Sequence, residues 1–393
     1  MTRRRALLAC ALAWLFVAPA VAAPPPTVAG ARLEPLSFEA LPGWREDDHA
    51  AAFRAFRRSC DALLRSEAGL RLAEPPPEDL QGACTVAANL GPSPRPELAR
   101  AFFERAFDPV EVVPDAGRGF LTGYFEPEYD GSLVETAEFR AALLARPDDL
   151  VTIEPGETLP GIDAGLQAAR RTENGGFEAY PDRAAIESGA LGDRAKPIVW
   201  LREPGQAFIV QVQGSARIRL PDGRTLRVAY AGRNGQPYTS IGRILVEEGR
   251  IPKDEMSLDR MMAWLAANPD EARTLMRRNR SFVFFRAADE LAAADGPVGG
   301  AGHPLIPGRS LAVDRTLWSY GLPVWLEGEL PAEQNGSEPL RRLMVAQDTG
   351  SAIVGPARGD FYFGSGAGAG VRAGLLRHRV RFVVLWPRPA AAP

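Results

Sequence analysis

"VAQDTGSAIVGPARGDFYFGSG", residues 345–366, places two aspartates, Asp348 and Asp360, among glycines and small or β-branched residues. Both acids adjoin runs that predict β-strands, "LRRLMVAQDTGSAIVG" and "DFYFGSG". Carboxylates are rarely found beside apolar strand segments unless something holds them there. Three explanations remain open at this point: the aspartates cap turns, bind a cation, or move protons on a substrate.

The alternating pattern of these two runs recurs through most of the chain after residue 107. Asp222-Gly223 lies between two alternating segments and predicts a hairpin turn. The glycine run "GSGAGAG" at 364–370 predicts a turn, because it lacks the Lys-Ser/Thr of a phosphate-binding loop and follows no βαβ unit. The other predicted strands are "GFLTGYFEPEYDGS" (119–132), "KPIVWLRE" (196–203), "QAFIVQVQGSARIRLPDGRTLRVAYAG" (206–232), "SFVFFRA" (281–287), "SLAVDRTLW" (310–318), "LPVWLEGEL" (322–330) and "HRVRFVVLWPR" (378–388).

Helical periodicity is confined to two blocks. Residues 37–107 show apolar residues at three- and four-residue spacing, broken by proline-rich stretches near 75–77 and 93–95. Residues 239–279 form the second block, with Thr239 or Ser240 predicted to cap its first helix and Ser257 its second. Many short strands with glycine- and proline-rich turns favour a mainly β fold with flanking helices, built as a β-barrel rather than a parallel doubly wound sheet.

Composition excludes several classes of function. The 393 residues carry a formal net charge of −3, which gives no reason to expect nucleic acid or an anionic membrane as a partner. The three histidines, His49, His303 and His378, are far from one another in sequence and from any plausible nucleophile, so a Ser-His-Asp triad has little support. No cofactor or metal site is predicted.

The first 23 residues read as a signal peptide. "MTRRRALLACALAWLFVAPAVAAPPP" has a basic start, a short apolar run and small residues at a cleavage site near Ala22 or Ala23. "LLAC", ending at Cys10, resembles a lipoprotein box, but the apolar run continues past it, so simple cleavage is favoured over lipid anchoring. Export leaves Cys60 and Cys84, and two remaining cysteines in an oxidising compartment favour a structural disulfide.

Carboxylates surrounded by aromatic and amide side chains suit sugar polymers. Aromatic faces stack on pyranose rings, and carboxyl groups donate protons to glycosidic oxygens. An exported protein without a cofactor fits a polysaccharide substrate outside the cytoplasm. From these residues alone, a glycan-cleaving enzyme and a glycan-binding module both remain open.

Six sequence blocks follow one another along the chain: "LTGYFEPEYDGS", "VQVQGSARIRL", "YAGRNGQPYTSIGRILVEEGRIPKDEMSL", "NRSFVFFR", "GHPLIPGRSLAVDR" and "LRRLMVAQDTGSAIVGPARGDFYFGSG". In this order they resemble the membrane-bound lytic murein transglycosylase A (MltA) family, and the resemblance spans roughly residues 37–386. The C-terminal part also resembles the three-aspartate (3D) domain, whose aspartates match Asp314, Asp348 and Asp360.

The resemblance implies two domains with a groove between them. A double-psi β-barrel domain with N-terminal helices comprises residues 28–122 and 281–390, and a smaller β-barrel that binds substrate is inserted at 123–280. It also implies cleavage of the β-1,4 bond between N-acetylmuramic acid and N-acetylglucosamine in peptidoglycan, leaving a 1,6-anhydro ring. Asp360 aligns with the family's catalytic aspartate and is the expected single acid/base; a turn-capping role is its alternative.

The other implied site residues have less specific roles. Asp348 is expected to hold the geometry of the site or to stabilise developing positive charge, with a plain turn as the alternative. Asp314 is a candidate for the substrate-binding set, although an ion pair or a turn suits it better. Ser240 suits a helix cap better than a place in the cleft. The substrate-binding candidates near the groove are Thr122, Gly123, Tyr124, Gln213, Ser215 and Tyr238, with Gln213, Gly214 and Ser215 expected to end a strand.

Three functions are therefore carried forward. The leading one is a periplasmic peptidoglycan lytic transglycosylase, with association to the outer membrane left open. It is expected to act as a monomer on peptidoglycan glycan strands, with other cell-wall enzymes as further candidate partners. The alternatives are an endo-hydrolase that uses two carboxylates and a non-catalytic wall-binding scaffold.

Overall fold

The computed structural model describes residues 27–332 and 336–389. The predicted signal peptide and Cys10 lie outside these residues. The helices are α1 (His49–Leu64), α2 (Glu78–Asn89), α3 (Pro96–Ala106), α4 (Arg183–Glu187), α5 (Pro204–Gln213), α6 (Ile241–Glu247), α7 (Leu258–Ala267), α8 (Pro269–Arg277) and α9 (Gly366–Leu375). The strands are β1 (Ala31–Pro35), β2 (Phe107–Pro114), β3 (Phe120–Glu126), β4 (Glu128–Ser132), β5 (Ala141–Leu144), β6 (Leu150–Thr152), β7 (Ala168–Arg171), β8 (Phe177–Ala179), β9 (Pro197–Leu201), β10 (Ser215–Arg219), β11 (Thr225–Arg233), β12 (Val283–Ala287), β13 (Ser310–Val313), β14 (Pro323–Pro331), β15 (Ser337–Asp348), β16 (Arg358–Ser365), β17 (Arg377–Arg379) and β18 (Arg381–Pro387).

A mixed nine-stranded sheet carries the site and joins the two ends of the chain. Its order is β1-β2-β18-β14-β15-β13-β16-β3-β17, so strands from the first third of the chain lie beside strands from the last third on both sides of the sheet. Strands β4, β5 and β9–β12 form a separate six-stranded sheet, and β6–β8 form a three-stranded one. The mainly β fold with flanking helices is confirmed.

The N-terminal helices cover one face of the large sheet with aromatic side chains. Phe53 and Phe56 of α1 pack against Phe102, Phe103 and Phe107, with ring centroids 5.2–6.4 Å apart. All five are buried in the largest apolar cluster, which also contains Trp325 of β14. This packing fixes α1 against the sheet beneath the site.

A disulfide joins Cys60 of α1 to Cys84 of α2, as the cysteine usage favours. The proline-rich stretches separate the helices as predicted, because α2 begins after Pro77 and α3 begins at Pro96. Pro96 suits the first turn, since its missing N–H would have no partner inside the helix.

The prediction of a continuous strand from residue 206 to 220 is wrong, because α5 occupies Pro204–Gln213. Local start and stop signals outweigh the β-branched composition. Glu203 and Gln206 form a reciprocal capping box, Pro204 lies in the first turn, and Gly214 ends the helix at φ 85°. The strand begins only at Ser215, so Gln213 and Gly214 end a helix rather than a strand.

The predicted turn at 364–370 is also wrong beyond its first residues, because Gly366–Leu375 forms α9. Its glycines allow close packing rather than a turn. A Cβ on Gly370 would lie 2.7 Å from the Phe125 ring, and one on Gly374 would lie 2.9 Å from Leu258. The helix therefore packs closely against β3 and α7.

The smaller predicted features are confirmed. Asp222 and Gly223 form the hairpin turn between β10 and β11, with Gly223 at φ 85°. Ser240 caps α6 and Ser257 caps α7, each hydroxyl accepting a backbone N–H of the first turn. No helix within the described residues is both long and apolar enough to cross a membrane.

A buried ion cluster lies where the chain leaves the large sheet for the six-stranded sheet. Glu126, at the end of β3, is 1% exposed and pairs with Arg227 at 2.9 Å and Arg217 at 2.7 Å. The Ser365 hydroxyl donates to the same carboxylate at 2.7 Å. Arg217 and Arg227 belong to β10 and β11, so this carboxylate ties the two sheets together.

Candidate active site

The two aspartates of 345–366 lie on either side of a short central strand. Ala312 of β13 pairs with Asp360 of β16 on one side and with Asp348 of β15 on the other. Adjacent strands are about 4.8 Å apart, so the backbones of β15 and β16 are separated by about 10 Å. The small Ala312 side chain leaves the floor between the two carboxylates open.

A β-bulge places Asp348 in one row with Ala312 and Asp360, which lie side by side on neighbouring strands. The register of β13 against β15 shifts between Leu311 and Ala312, so that Gln347 is the extra residue. Gln347 is fully buried and donates to the Ala55 carbonyl and the Ser59 hydroxyl, both at 2.8 Å. The bulge thus turns one polar side chain into the core and directs the next one to the site, a recurrent use of bulges.

The row continues across two further strands. Asp360 pairs with Thr122 of β3, and Thr122 pairs in turn with Arg377 of β17. These residues line one groove of about 820 Å³, together with Tyr124, Gln213 and Tyr238. The groove runs between the nine-stranded sheet and the elements of residues 183–283.

Asp360 has an environment that favours its protonated form. Burial raises the pKa of its carboxyl from 3.8 to about 6, against the opposing effects of Arg358 and Thr122 and with a further increase from Asp348. The Thr122 hydroxyl donates to Asp360 Oδ1 at 2.5 Å and itself accepts a bond from Arg358 at 2.6 Å. One carboxyl oxygen is therefore fixed, and the other can hold a proton.

Asp348 has a different environment. Its Oδ1 accepts two backbone N–H bonds, from Gly300 at 2.7 Å and from Thr349 at 2.8 Å. Burial raises the pKa of Asp348 above its usual value, although these two donors, Tyr124 and Arg71 oppose the shift. Because backbone N–H groups favour a carboxylate over a carboxylic acid, Asp348 is the better candidate for the ionised member of the pair.

The aromatic residues of the groove lie close to these carboxylates. The Tyr124 hydroxyl is buried without a well-formed hydrogen bond. Burial, Asp348 and Asp360 together raise its pKa well above 10. Burial also raises the pKa of Tyr238, with an added contribution from Asp360 and an opposing one from Ser240. Both tyrosines therefore remain neutral and can donate hydrogen bonds.

The other sequence-predicted residues are distributed more widely. Gln213 lines the groove, although its amide oxygen already accepts the Phe125 N–H at 3.1 Å. Gly123 is required for packing, since a Cβ there would lie 2.8 Å from Ala373 Cα. Ser215 is buried at the start of β10 and lines a smaller adjoining cavity instead.

Asp314 acts within a turn. Its Oδ1 accepts from the backbone and hydroxyl of Thr316, at 3.0 and 2.7 Å, and its Oδ2 accepts from Gly355 N–H at 2.7 Å. The side chain is buried, and the residues lining the groove do not include it. These contacts agree with the turn alternative rather than with substrate binding.

Several groove residues were not predicted. Arg358 could have been recognised, because it is two residues from Asp360 on the same strand and therefore on the same face. No local sequence pattern marks Ala312 or Arg377 as a groove residue. Across residues 27–332 and 336–389, no group of three or more His, Cys, Asp or Glu side chains is arranged to hold a metal ion.

Comparison with known proteins agrees with this architecture. Residues 120–286 match the MltA specific insert domain, and residues 309–386 match the 3D domain. A membrane-bound lytic murein transglycosylase from Agrobacterium tumefaciens is 36% identical in its crystal structure, with a TM-score of 0.81 over 90% of this chain and 97% of that one. The chain belongs to the MltA family.

Two further MltA proteins are similar to it. Membrane-bound lytic murein transglycosylase A of Vibrio cholerae serotype O1 is 39% identical over 222 residues, which is 54% of this chain and 58% of the relative. The chain thus spans less than two thirds of that relative's length in this alignment. The crystal structure of Escherichia coli MltA with bound chitohexaose is 25% identical, with a TM-score of 0.60 over 92% of this chain and 93% of that one.

Proposed function

We propose that this protein is a lytic transglycosylase that cleaves the β-1,4 bond between N-acetylmuramic acid and N-acetylglucosamine in peptidoglycan and forms 1,6-anhydromuramic ends. The observation that carries the proposal is a carboxyl group with its pKa raised to about 6, Asp360, facing an open groove of about 820 Å³. Membership of the MltA family and the chitohexaose bound by a relative support a glycan strand as the occupant of the groove.

Asp360 can serve both halves of the reaction. Its proton passes to the glycosidic oxygen as the bond to the muramic C1 breaks. The C6 hydroxyl of the same sugar then attacks C1, and its proton passes to the Asp360 carboxylate. The carboxyl is thereby restored, and no water is consumed. Because the nucleophile belongs to the substrate, orientation supplies much of the rate.

Asp348 is assigned an electrostatic role. Its carboxylate faces the groove two strands away from Asp360, across β13, near the sugar ring on which positive charge develops. The two backbone N–H groups hold it in place before the substrate arrives, so little reorganisation is needed during the reaction.

The spacing of Asp348 and Asp360 is also compatible with the alternative of an endo-hydrolase that uses two carboxylates. A backbone separation of about 10 Å leaves room between the two side chains for the water of an inverting hydrolase, whose carboxyl groups are about 6.5–9.5 Å apart. The two mechanisms leave different product ends, so product chemistry decides between them.

Architecture and location complete the proposal. We assign the nine-stranded sheet to a double-psi β-barrel domain of residues 28–122 and 281–390, interrupted by a substrate-binding β-barrel domain of residues 123–280. The origin of its strands in the first and last thirds of the chain supports this division, except that β12 (Val283–Ala287) pairs with β11 in the six-stranded sheet. The proposed location is the periplasm, with the protein acting as a monomer.

Mass spectrometry of digested peptidoglycan tests the function. Wild type is expected to release fragments with anhydromuramic ends, and Asp360→Asn is expected to bind peptidoglycan without releasing them. Asp222→Asn, in the exposed hairpin turn away from the groove, is the matched control and is expected to behave like wild type. Reducing ends from wild type would replace the proposal with a hydrolase. Binding without soluble products from all three proteins would replace it with a wall-binding scaffold.

A further inference from the structure

A second cavity adjoins the groove at its Asp348 end. It has a volume of about 100 Å³, and it shares Tyr124, Gln213 and Asp348 with the groove but not Asp360. Residues 349–351 line both cavities, whereas Arg71, Tyr230 and Arg233 line only the smaller one. We call this cavity the arginine pocket. It is small beside the groove, so it suits a side group of a glycan rather than a sugar ring.

Arg233 is buried without a counter-ion. The residue is 8% exposed, and no carboxylate of residues 27–332 and 336–389 lies within 4.0 Å of its guanidinium. It donates a hydrogen bond to the Ser351 hydroxyl. Burial and the nearby positive charges of Arg71 and Arg315 lower its pKa to about 10. Buried charges are normally paired, so this guanidinium is an exception that calls for an anionic partner.

Arg71 adds a second positive charge to the same pocket. Its guanidinium lies 5.6 Å from the centre of the Tyr230 ring and donates to the Thr349 carbonyl at 3.4 Å. No ion pair within the described residues involves it. Arg315 differs, because it pairs with Glu154 at 3.3 Å. Two arginines without carboxylate partners thus converge on one small cavity beside Asp348.

The positive charge of the arginine pocket exceeds what Asp348 offsets, although Arg71 interacts with that carboxylate. Two guanidinium groups in a partly desolvated pocket repel each other, and the Asp348 carboxylate is already bonded to Gly300 and Thr349. An incoming carboxylate could accept charge-assisted bonds from both arginines, in the forked geometry that guanidinium groups favour.

We propose that the arginine pocket binds a carboxylate carried by the lactyl arm of a muramic residue. The inference rests on the proposed function, which makes peptidoglycan the substrate. The carboxylate can come from two sources: the free lactyl acid of a strand without peptides, or the stem peptide of a strand that keeps them. Chitin-type oligosaccharides have neither, so the pocket distinguishes peptidoglycan from neutral β-1,4 glycans.

Calorimetric binding measurements in an Asp360→Asn background test this without turnover. Four ligands of equal length separate the sources: chitohexaose, a peptide-free muramyl glycan, the same glycan with its lactyl acids converted to methylamides, and the glycan with stem peptides. A carboxylated ligand is expected to bind at least ~10-fold more tightly than its neutral counterpart, and Arg71→Gln and Arg233→Gln each remove about 10-fold of that preference. If only the glycan with stem peptides binds more tightly than the methylamide glycan, the carboxylate is assigned to the peptide.

Arg243→Gln is the matched control. Arg243 lines the same groove but already pairs with Glu247 at 3.5 Å, so its loss is expected to leave the carboxylate preference unchanged. Arg233→Lys keeps the charge and is expected to keep part of the preference. Thermal melting accompanies each variant, and removal of an unpaired buried charge at Arg233 is not expected to lower the melting temperature.

Two results would overturn the inference. One is an equal loss of affinity for chitohexaose and for carboxylated glycans, which would make the arginines part of the groove's shape. The other is an equal effect of all three Arg→Gln variants, which would indicate general electrostatic attraction. Failure of the proposed function has a different signature: wild type would form no anhydromuramic ends, whatever the ligand preference of the Asp360→Asn series.

Discussion

The Thr122 hydroxyl, together with Arg358, opposes the rise of the Asp360 pKa, and Thr122→Val tests the contribution of the hydroxyl. Valine keeps the shape of threonine but cannot donate the 2.5 Å hydrogen bond to Asp360 Oδ1. Because that bond favours the ionised carboxyl, its loss raises the pKa above the wild-type value of about 6. A hydrogen bond favours a charged over a neutral acceptor by about 1 kcal/mol, which corresponds to ~0.7 pKa units.

The sign of the effect follows from the proposed role of Asp360 as an acid. In that role Asp360 must be protonated, so kcat/KM is expected to fall as the pH rises through the pKa of the free enzyme. In Thr122→Val this alkaline limb is expected to move up by about 0.7 pH units. Release of soluble muropeptides from peptidoglycan, measured from pH 4 to 8, provides the profile.

Ser240→Ala is the matched control, because it removes a hydroxyl that lines the groove without donating to Asp360. Its alkaline limb is expected to stay at the wild-type position. An unchanged or downward-shifted limb in Thr122→Val would refute the assignment of Asp360 as the acid tuned by this hydroxyl. Equal loss of activity at every pH would show instead that Thr122 contacts the substrate.

Three further predictions concern stability. Asp360→Asn is expected to have a higher melting temperature than wild type at pH 7 but not at pH 3. The pKa of Asp360 is raised to about 6 in the folded state, so ionisation of this carboxyl at pH 7 destabilises the wild-type fold, whereas at pH 3 the carboxyl is protonated. Equal differences in melting temperature at both pH values would contradict this. The double variant Cys60→Ser with Cys84→Ser removes a disulfide between residues 24 apart in sequence, and its free energy of unfolding in urea is expected to fall by about 3 kcal/mol, with reduced wild type as the control. A loss below ~0.5 kcal/mol would contradict a stabilising role for the disulfide. Glu126→Gln leaves Arg227 buried without a charge partner and is expected to lower the free energy of unfolding by about 3–5 kcal/mol, whereas the same change at the nearby, more exposed Glu128 lowers it by under ~1 kcal/mol. Similar losses in the two variants would refute the role of Glu126 in joining the two sheets.

Local sequence signals accounted for the strands that carry the two aspartates, the N-terminal helices and the caps of α6 and α7. Each depends on residues close together in the chain, such as Ser240 and the first turn of α6. The errors at α5 and α9 have a common cause. In α5 a β-branched composition was outweighed by a capping box, and in α9 glycines that usually mark turns serve close packing against Phe125 and Leu258.

The site itself was predictable only in part. Asp348 and Asp360 were identified as site candidates, but nothing local indicates the bulge at Gln347 that turns Asp348 toward the groove. The environment of Arg233 was also inaccessible to sequence reading, because an arginine without a counter-ion is recognised only when all its spatial neighbours are known. Long-range pairing decides both features.

The row of side chains across β15, β13, β16, β3 and β17 has a consequence for the order in which the chain is made. Thr122 is 238 residues from its partner Asp360, and the two strands that bear them pair directly. A nascent chain that has reached only β14 contains the groove's other wall but neither aspartate. Asp360 arrives with β16, near the end of synthesis, and joins the groove only once that strand inserts between β13 and β3. If Asp360 is the proposed acid, catalytic competence is delayed until almost the whole polypeptide has been made and folded, and chains truncated before β16 are inactive.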